Sequence, residues 1–198
     1  WLNCINSRRL CFCVMVTAAR SIYEGFCFGA VRWVEETRTH EFASSSLYRS
    51  SSVDMTQLMN NLGSKSASVH AVAVFLDVFC ASLPSGKQNT FAAQTLPSAV
   101  LVEVRTGRPV SYVNAFELPV EGSHNASVID NASARLSDYA QSIRSAYSLT
   151  PDASFVMYLH DNGLSKLGEP SNYDELRDRL TEQLDSMIPN AENTADGE

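Results

Sequence analysis

Between Ser66 and Leu83 the apolar residues Val69, Val72, Ala73, Leu76, Phe79, Cys80 and Leu83 recur at three- and four-residue steps. That spacing lays them along one stripe of an α-helix, which Pro84 and Gly86 end. His70 falls off the stripe and is expected to face solvent. A second helix is predicted over Ser127–Tyr147, where Val128, Ala132, Leu136, Tyr139, Ile143 and Tyr147 share a face. A third opens at Ser171-x-x-Asp174, a capping-box pattern, and carries Leu176, Leu180, Leu184 and Ile188. A short fourth runs from Asp54, a capping side chain, to Leu62, with Gly63 as its left-handed stop.

Alternation of period two marks the strands. Thr39–Arg49 sets Phe42 and Tyr48 on one face and Leu47 on the other, and Ser50-Ser51-Ser52 is read as a break. Ala99–Arg105 and Val110–Glu117 flank Thr106-Gly107-Arg108-Pro109, a hairpin signal. Ala153–His160 is a short buried strand. The order β-α-α-β-β-α-β-α predicts an α+β fold, a sheet covered by helices on one face, which an RRM-like or ferredoxin-like palm fits.

Residues 1–38 carry no sustained period and no predicted element. Arg8-Arg9 followed by Leu10 to Ala19 looks like a short signal-peptide core. Three regions are therefore expected: an unmatched segment 1–38, a palm over 39–189, and an acidic disordered tail over 190–198.

Composition adds limits. With 44% hydrophobic and 19% charged residues in 198, the chain can bury a real core as one domain, or as one domain plus an appendage. A net charge of −7 argues against non-specific binding to polyanions. Five acids and no Lys or Arg lie from Glu182 onward, so much of that deficit sits in one tail. No stretch approaches the roughly 20 apolar residues of a membrane helix. Cys4, Cys11, Cys13 and Cys27 lack the paired spacing of zinc modules, and Cys80 is expected to be a small core residue.

Catalytic signatures are missing. There is no G-x-S-x-G elbow and no G-x-G-x-x-G, and Gly86-Lys87 has Ala81 and Gln88 where a Walker loop needs glycine and Ser or Thr. His160-Asp161, at a strand end, is half of a catalytic pair at most. Asn125-Ala126-Ser127 and Asn131-Ala132-Ser133 match the glycosylation sequon and lend weak support to secretion. Arg105 and Arg108, at the hairpin tip, are expected to be solubilising.

The polar loop after the long helix has its own chemistry. Gly86 frees the backbone to turn, and successive amides in such a turn form an anion-binding nest. Lys87 adds a point charge suited to phosphate, and Gln88, Asn89 and Thr90 can bond a ribose 2′-hydroxyl. Most polar loops are simply solvated.

Three segments then carry a family resemblance. Thr39-x-Glu41-Phe42-x-Ser44-x-x-x-Tyr48-Arg49, Pro84-Ser85-Gly86-Lys87-Gln88-Asn89-Thr90-Phe91-Ala92 and Asn114-Ala115-Phe116-Glu117 stand in family order and spacing. Together they resemble the C-terminal half of CasC, the backbone subunit of type I-E CRISPR Cascade complexes, in the DevR-like RAMP superfamily. The resemblance implies a partial RRM-like palm, copies stacked head to tail along a guide RNA (crRNA), contacts to other Cascade subunits, and target DNA reached only through the guide. It implies a cytoplasmic protein with no catalysis, cofactor or metal of its own, and it brings Gly86, Lys87, Gln88, Asn89 and Thr90 near RNA. Ser50, where the family usually has an aromatic, and His40, in place of glutamine, depart from it. Residues 1–38 match nothing in the family, so a truncated or frame-disrupted copy is expected. The alternative is a secreted or surface α+β protein using residues 1–19 as a signal.

Overall fold

The computed structural model describes residues 8–17, 46–82 and 95–188. Among these, five strands form one mixed sheet: β1 (Arg8–Thr17), β2 (Ser46–Asp54), β3 (Ala99–Thr106), β4 (Ala153–Tyr158) and β5 (Glu169–Pro170). Their spatial order is β2-β1-β3-β4-β5. β1 is antiparallel to both β2 and β3, β3 is antiparallel to β4, and β5 runs parallel to β4. Four helices pack on the sheet: α1 (Met55–Leu62), α2 (Lys65–Ala81), α3 (Val128–Ala146) and α4 (Tyr173–Met187). The expected α+β class holds, and the architecture is that of an RRM-like palm.

β1 is the largest departure from the sequence reading. Residues 1–38 carry no predicted element, yet Arg8–Thr17 is an inner strand. Leu10 pairs with Val104 and Phe12 with Val102 on one face, while Cys13 pairs with Leu101 and Met15 with Ala99 on the other. Both faces are covered, so both alternating sets are apolar and the period-two signal disappears. A short continuous apolar run then reads equally well as a signal core.

The two cores explain why each helix is where it is. On one face Leu10, Phe12, Val100, Val102, Val104 and Phe155 pack against α1, α2 and α4 through Met55, Val72, Leu76, Leu180 and Leu184. On the other, Cys13, Met15, Leu101 and Val156 meet Ala132, Leu136 and Ala140 of α3, with Tyr112, Leu164 and Leu167. The expected single helical face is thus corrected to three helices on one side and α3 on the other. The predicted stripes themselves are the buried ones: Val69, Val72, Leu76 and Cys80 of α2, and Leu176, Leu180, Leu184 and Ile188 from α4.

Two boundaries move for identifiable reasons. The serines Ser50, Ser51 and Ser52 do not break β2, because they pair in register with Cys13, Phe12 and Cys11 of β1. The expected hairpin strand 110–117 does not form, because β1 and β4 already hold both edges of β3. Val113–Phe116 is instead a turn of 3-10 helix. Asp54 caps α1 as expected, accepting from the amides of Thr56 and Gln57 at 3.0 and 3.2 Å, and Gly63 stops it at φ 65°. The capping box of α4 sits one residue later than expected, at Asn172 and Glu175, where the third position carries Glu rather than Asp. The expected tail 190–198 lies outside the described residues.

Leu76 is wholly buried between α2 and the sheet. Leu76→Ala is expected to lower unfolding free energy by about 3 kcal/mol in urea titration. A loss below about 1 kcal/mol would mean that α2 does not seal this core.

Candidate nucleic-acid interface

At one end of the sheet the chain leaves the described structure at Thr17 and re-enters at Ser46, then leaves again at Ser82 and re-enters at Thr95. The four points lie together because Thr17 pairs with Ser46, and the Ser98 amide donates to the Met15 carbonyl at 2.8 Å. The Leu159 amide donates to the Ser98 carbonyl at 2.9 Å, tying the end of β4 to the same place. Gly86, Lys87, Gln88, Asn89 and Thr90 themselves lie outside the described residues.

Alternation along β2 sends Tyr48 and Arg49 to opposite faces at this end. The Tyr48 ring packs on Phe116, with centroids 5.0 Å apart. Its hydroxyl is 2.9 Å from Cys13 Sγ. Burial pushes the Cys13 thiol up to about 12, so it is neutral there, and burial raises the Tyr48 phenol as well. Beside this pair a groove of about 480 Å³ is walled by Met15, Leu47, Tyr48, Phe116 and Val128.

Arg49, on the other face, clamps the end of α2. Its guanidinium donates to the Ser82 carbonyl and to Ser82 Oγ, and lies 4.6 Å from the Phe79 ring centroid. α2 has no basic residue in its own last turn, so a guanidinium from β2 satisfies a carbonyl that the helix leaves unpaired. The planar fork and the ring stacking are both specific to arginine. The chain enters residues 83–94 from this clamp. A second hollow of about 550 Å³, lined by Cys80, Ala81, Leu96, Pro97, Met157 and Tyr173, adjoins the same point. Cys80 is the core residue its sequence position suggested.

The first and third of the segments that carry the sequence resemblance therefore meet at one sheet end, beside the point where the described chain stops short of the second. Tyr48 from the first touches Phe116 from the third, and Arg49 from the first holds Ser82, two residues before Pro84 of the second. Sequence spacing alone does not show this convergence.

Toward the far end a buried ionic cluster fixes β3 against α3. Glu103 is 1% exposed and Arg105 4%, which corrects the expectation that Arg105 is a solubilising surface group. Arg105 Nε donates to Glu103 Oε2 at 2.8 Å, and its two terminal nitrogens donate to the Leu149 carbonyl at 2.7 Å and the Tyr112 hydroxyl at 2.9 Å. Burial by itself would lower the Arg105 pKa, but the Glu103 carboxylate raises it above the usual value. Burial and then the Glu103 charge push the Tyr112 phenol up to about 12, so it keeps its proton and donates to Glu103 Oε1 at 2.9 Å. Arg144 of α3 donates to the same carboxylate and to the Leu167 carbonyl at 2.8 Å. Opposite charges two apart in an otherwise apolar strand were the available sequence signal. Arg108 is exposed, as expected.

Other sequence candidates do not assemble. Asp161 is occupied by Ser165, accepting from its amide at 2.8 Å and its hydroxyl at 2.9 Å, and these bonds hold its carboxyl below the usual range. The carboxylate thus caps a turn rather than orienting His160. Cys11 and Cys13 are buried free thiols, and Cys4 and Cys27 lie outside the described residues. Among the described residues no group of three His, Cys, Asp or Glu side chains is placed to hold a metal ion, and no helix is long and apolar enough to cross a membrane. Asn131 donates its side-chain amide to the Glu121 carbonyl at 2.8 Å, and Ser127 caps α3.

Residues 35–185 match the family model described as CT1975-like protein, a range that takes in most of the chain and all three segments of the sequence resemblance. The chain belongs to the CT1975-like protein family. A search of the curated proteins gives no match. Among solved structures, this CT1975-like chain is similar to one titled "CRISPR RNA-guided surveillance complex", with a TM-score of 0.68 and 29% identity over 87% of this chain and 65% of that one. Another, titled "CRISPR RNA-guided surveillance complex, pre-nicking", gives a TM-score of 0.68 and 29% identity over 88% of this chain and 46% of its own. The chain thus spans less than two thirds of the length of these relatives.

Glu103→Gln leaves two guanidiniums facing a neutral amide in a buried site. It is expected to destabilise the protein by about 3–5 kcal/mol in chemical denaturation. A change within about 0.5 kcal/mol would show that the cluster does not hold α3 to the sheet.

Proposed function

We propose that this chain is a guide-RNA-binding backbone subunit of a CRISPR surveillance complex of the Cascade type, specifically type I-E. One observation carries the reading: similarity in both sequence and fold, over 87% of the chain, to a chain of a CRISPR RNA-guided surveillance complex. Membership of the CT1975-like family over residues 35–185 supports it. So does the meeting of Tyr48, Phe116 and the Arg49–Ser82 clamp where the chain enters the segment bearing Lys87.

The RNA grip is assigned to Gly86, Lys87, Gln88, Asn89 and Thr90. A net charge of −7 disfavours a diffuse electrostatic hold, so contact with the phosphates has to be local. Backbone amides and one lysine fit that role, because they read the ribose-phosphate chain and leave sequence choice to base pairing by the guide. The subunit acts in the cytoplasm alongside further copies of itself and other Cascade subunits. It performs no bond-breaking step of its own.

Guide-RNA binding by the full chain is measured by fluorescence anisotropy across a salt series. Affinity is expected to fall log-linearly with salt, and Lys87→Ala to weaken binding alike for unrelated guide sequences while reducing the salt slope by about one. An unchanged slope would remove Lys87 from the interface, and no guide-RNA binding by the unsubstituted chain would remove the function.

A further inference from the structure

α2 is apolar on two sides. Its inner stripe is spent on the core. Its outer side carries Ala67, Ala71, Val74, Val78 and Ala81, spaced four, three, four and three residues apart. That is the seam spacing of a coiled coil, and it is unusual on a solvated helix face, where charged residues are expected. Val74 is 45% exposed and Val78 57%, both large values for valine. The neighbouring helices α1 and α4 therefore leave this seam open. Two ionisable residues flank it on the same side, His70 and Asp77, one heptad apart. His70 is exposed, and the Asp77 side chain is 44% exposed.

We infer that this face pairs with the α2 of a second copy of the same chain, antiparallel, about a twofold axis between Val72 and Ala73. The spacing admits antiparallel registers one heptad apart, and the match of small residues to large ones chooses between them. Antiparallel seams alternate their two seam positions, which sets Ala71 against the partner's Val74 and Ala67 against the partner's Val78. Each of the four layers then joins one alanine to one valine, so small faces large throughout and the helices approach closely.

The same register puts His70 opposite the partner's Asp77, twice by symmetry. Nothing in the apolar layers selects that register by charge, so the complementarity of the flanking pair is independent support for it. A second copy is therefore the favoured occupant: the seam is complementary to itself in layer size and in the imidazole–carboxylate pair that flanks it. The groups around Asp77 permit the contact. Tyr173 donates to one carboxylate oxygen at 2.9 Å, and Arg177 stands 3.9 Å from the other. A single helix pair buries little area, so the association is weak and reversible.

The test is sedimentation velocity on the RNA-free full chain, at concentrations up to about 1 mM. The chain is expected to pass reversibly from monomer to dimer. Val78→Asp, on the exposed seam, is expected to abolish the dimer with an unchanged circular-dichroism spectrum. His70→Glu sets like charges together in both flanking pairs and is expected to raise the dimer Kd about tenfold or more, while His70→Lys leaves it unchanged or lowers it. A monomer at every concentration overturns the inference. So does a dimer indifferent to both Val78→Asp and His70→Glu, which would place the contact elsewhere.

Discussion

Strand β3 has two edges and two faces, and all four are taken. β1 and β4 hold its edges, α2 and α4 lie under Val100, Val102 and Val104, and α3 with Tyr112 covers Leu101. Full enclosure of one short strand dictates much of the remaining structure. It denies residues 110–117 a place in the sheet and turns them into a crossing segment that delivers Tyr112 to the ionic cluster and Phe116 to the Tyr48 end of the sheet. It also traps two charged residues, Glu103 and Arg105, inside the fold. Such a pair is tolerable only if every donor and acceptor is met, since unpaired buried charge is costly. Tyr112, Arg144 and the Leu149 carbonyl meet that need, and in doing so they tie three separate stretches of chain to β3.

The candidate interface depends on this rigidity at second hand. Its described parts are chain ends gathered at one sheet margin, and they stay gathered because β1, β3 and β4 cannot slide. A one-residue slip of any of them would turn its whole side-chain set to the wrong core. Tyr48 and Arg49 are neighbours in sequence that serve opposite faces: one packs against the crossing segment and the other closes the end of α2. Two adjacent residues thus link both helical layers at the margin where residues 83–94 begin. The turn proposed above to hold RNA phosphates would profit from such anchoring, because ordering the residues that flank a binding loop lowers the entropy lost on binding.

Much of the architecture was legible from the chain. The stripes of α2 and α4, the capping Asp54, the stop at Gly63 and the buried Cys80 follow from local spacing and local hydrogen-bond chemistry, and local causes survive folding unchanged. The family resemblance likewise rested on short local segments. What was not legible was everything whose cause is a neighbour distant in sequence. β1 lost its alternation because layers from opposite ends of the chain cover both its faces. Ser50–Ser52 stayed extended because β1 supplies hydrogen-bond partners that outweigh weak strand propensity.

Sequence by itself therefore determined the helices, the inward stripes of α2 and α4, the α+β class and the three segments that mark the family, because each is written in the spacing of nearby residues. Only the tertiary structure decided that Arg8–Thr17 is an inner strand, that Arg105 is buried against Glu103, that Tyr48 meets Phe116, and that the outer seam of α2 is left open. Each of those outcomes is settled by which surfaces compete for the same edge or face. That competition exists only once the whole chain is folded.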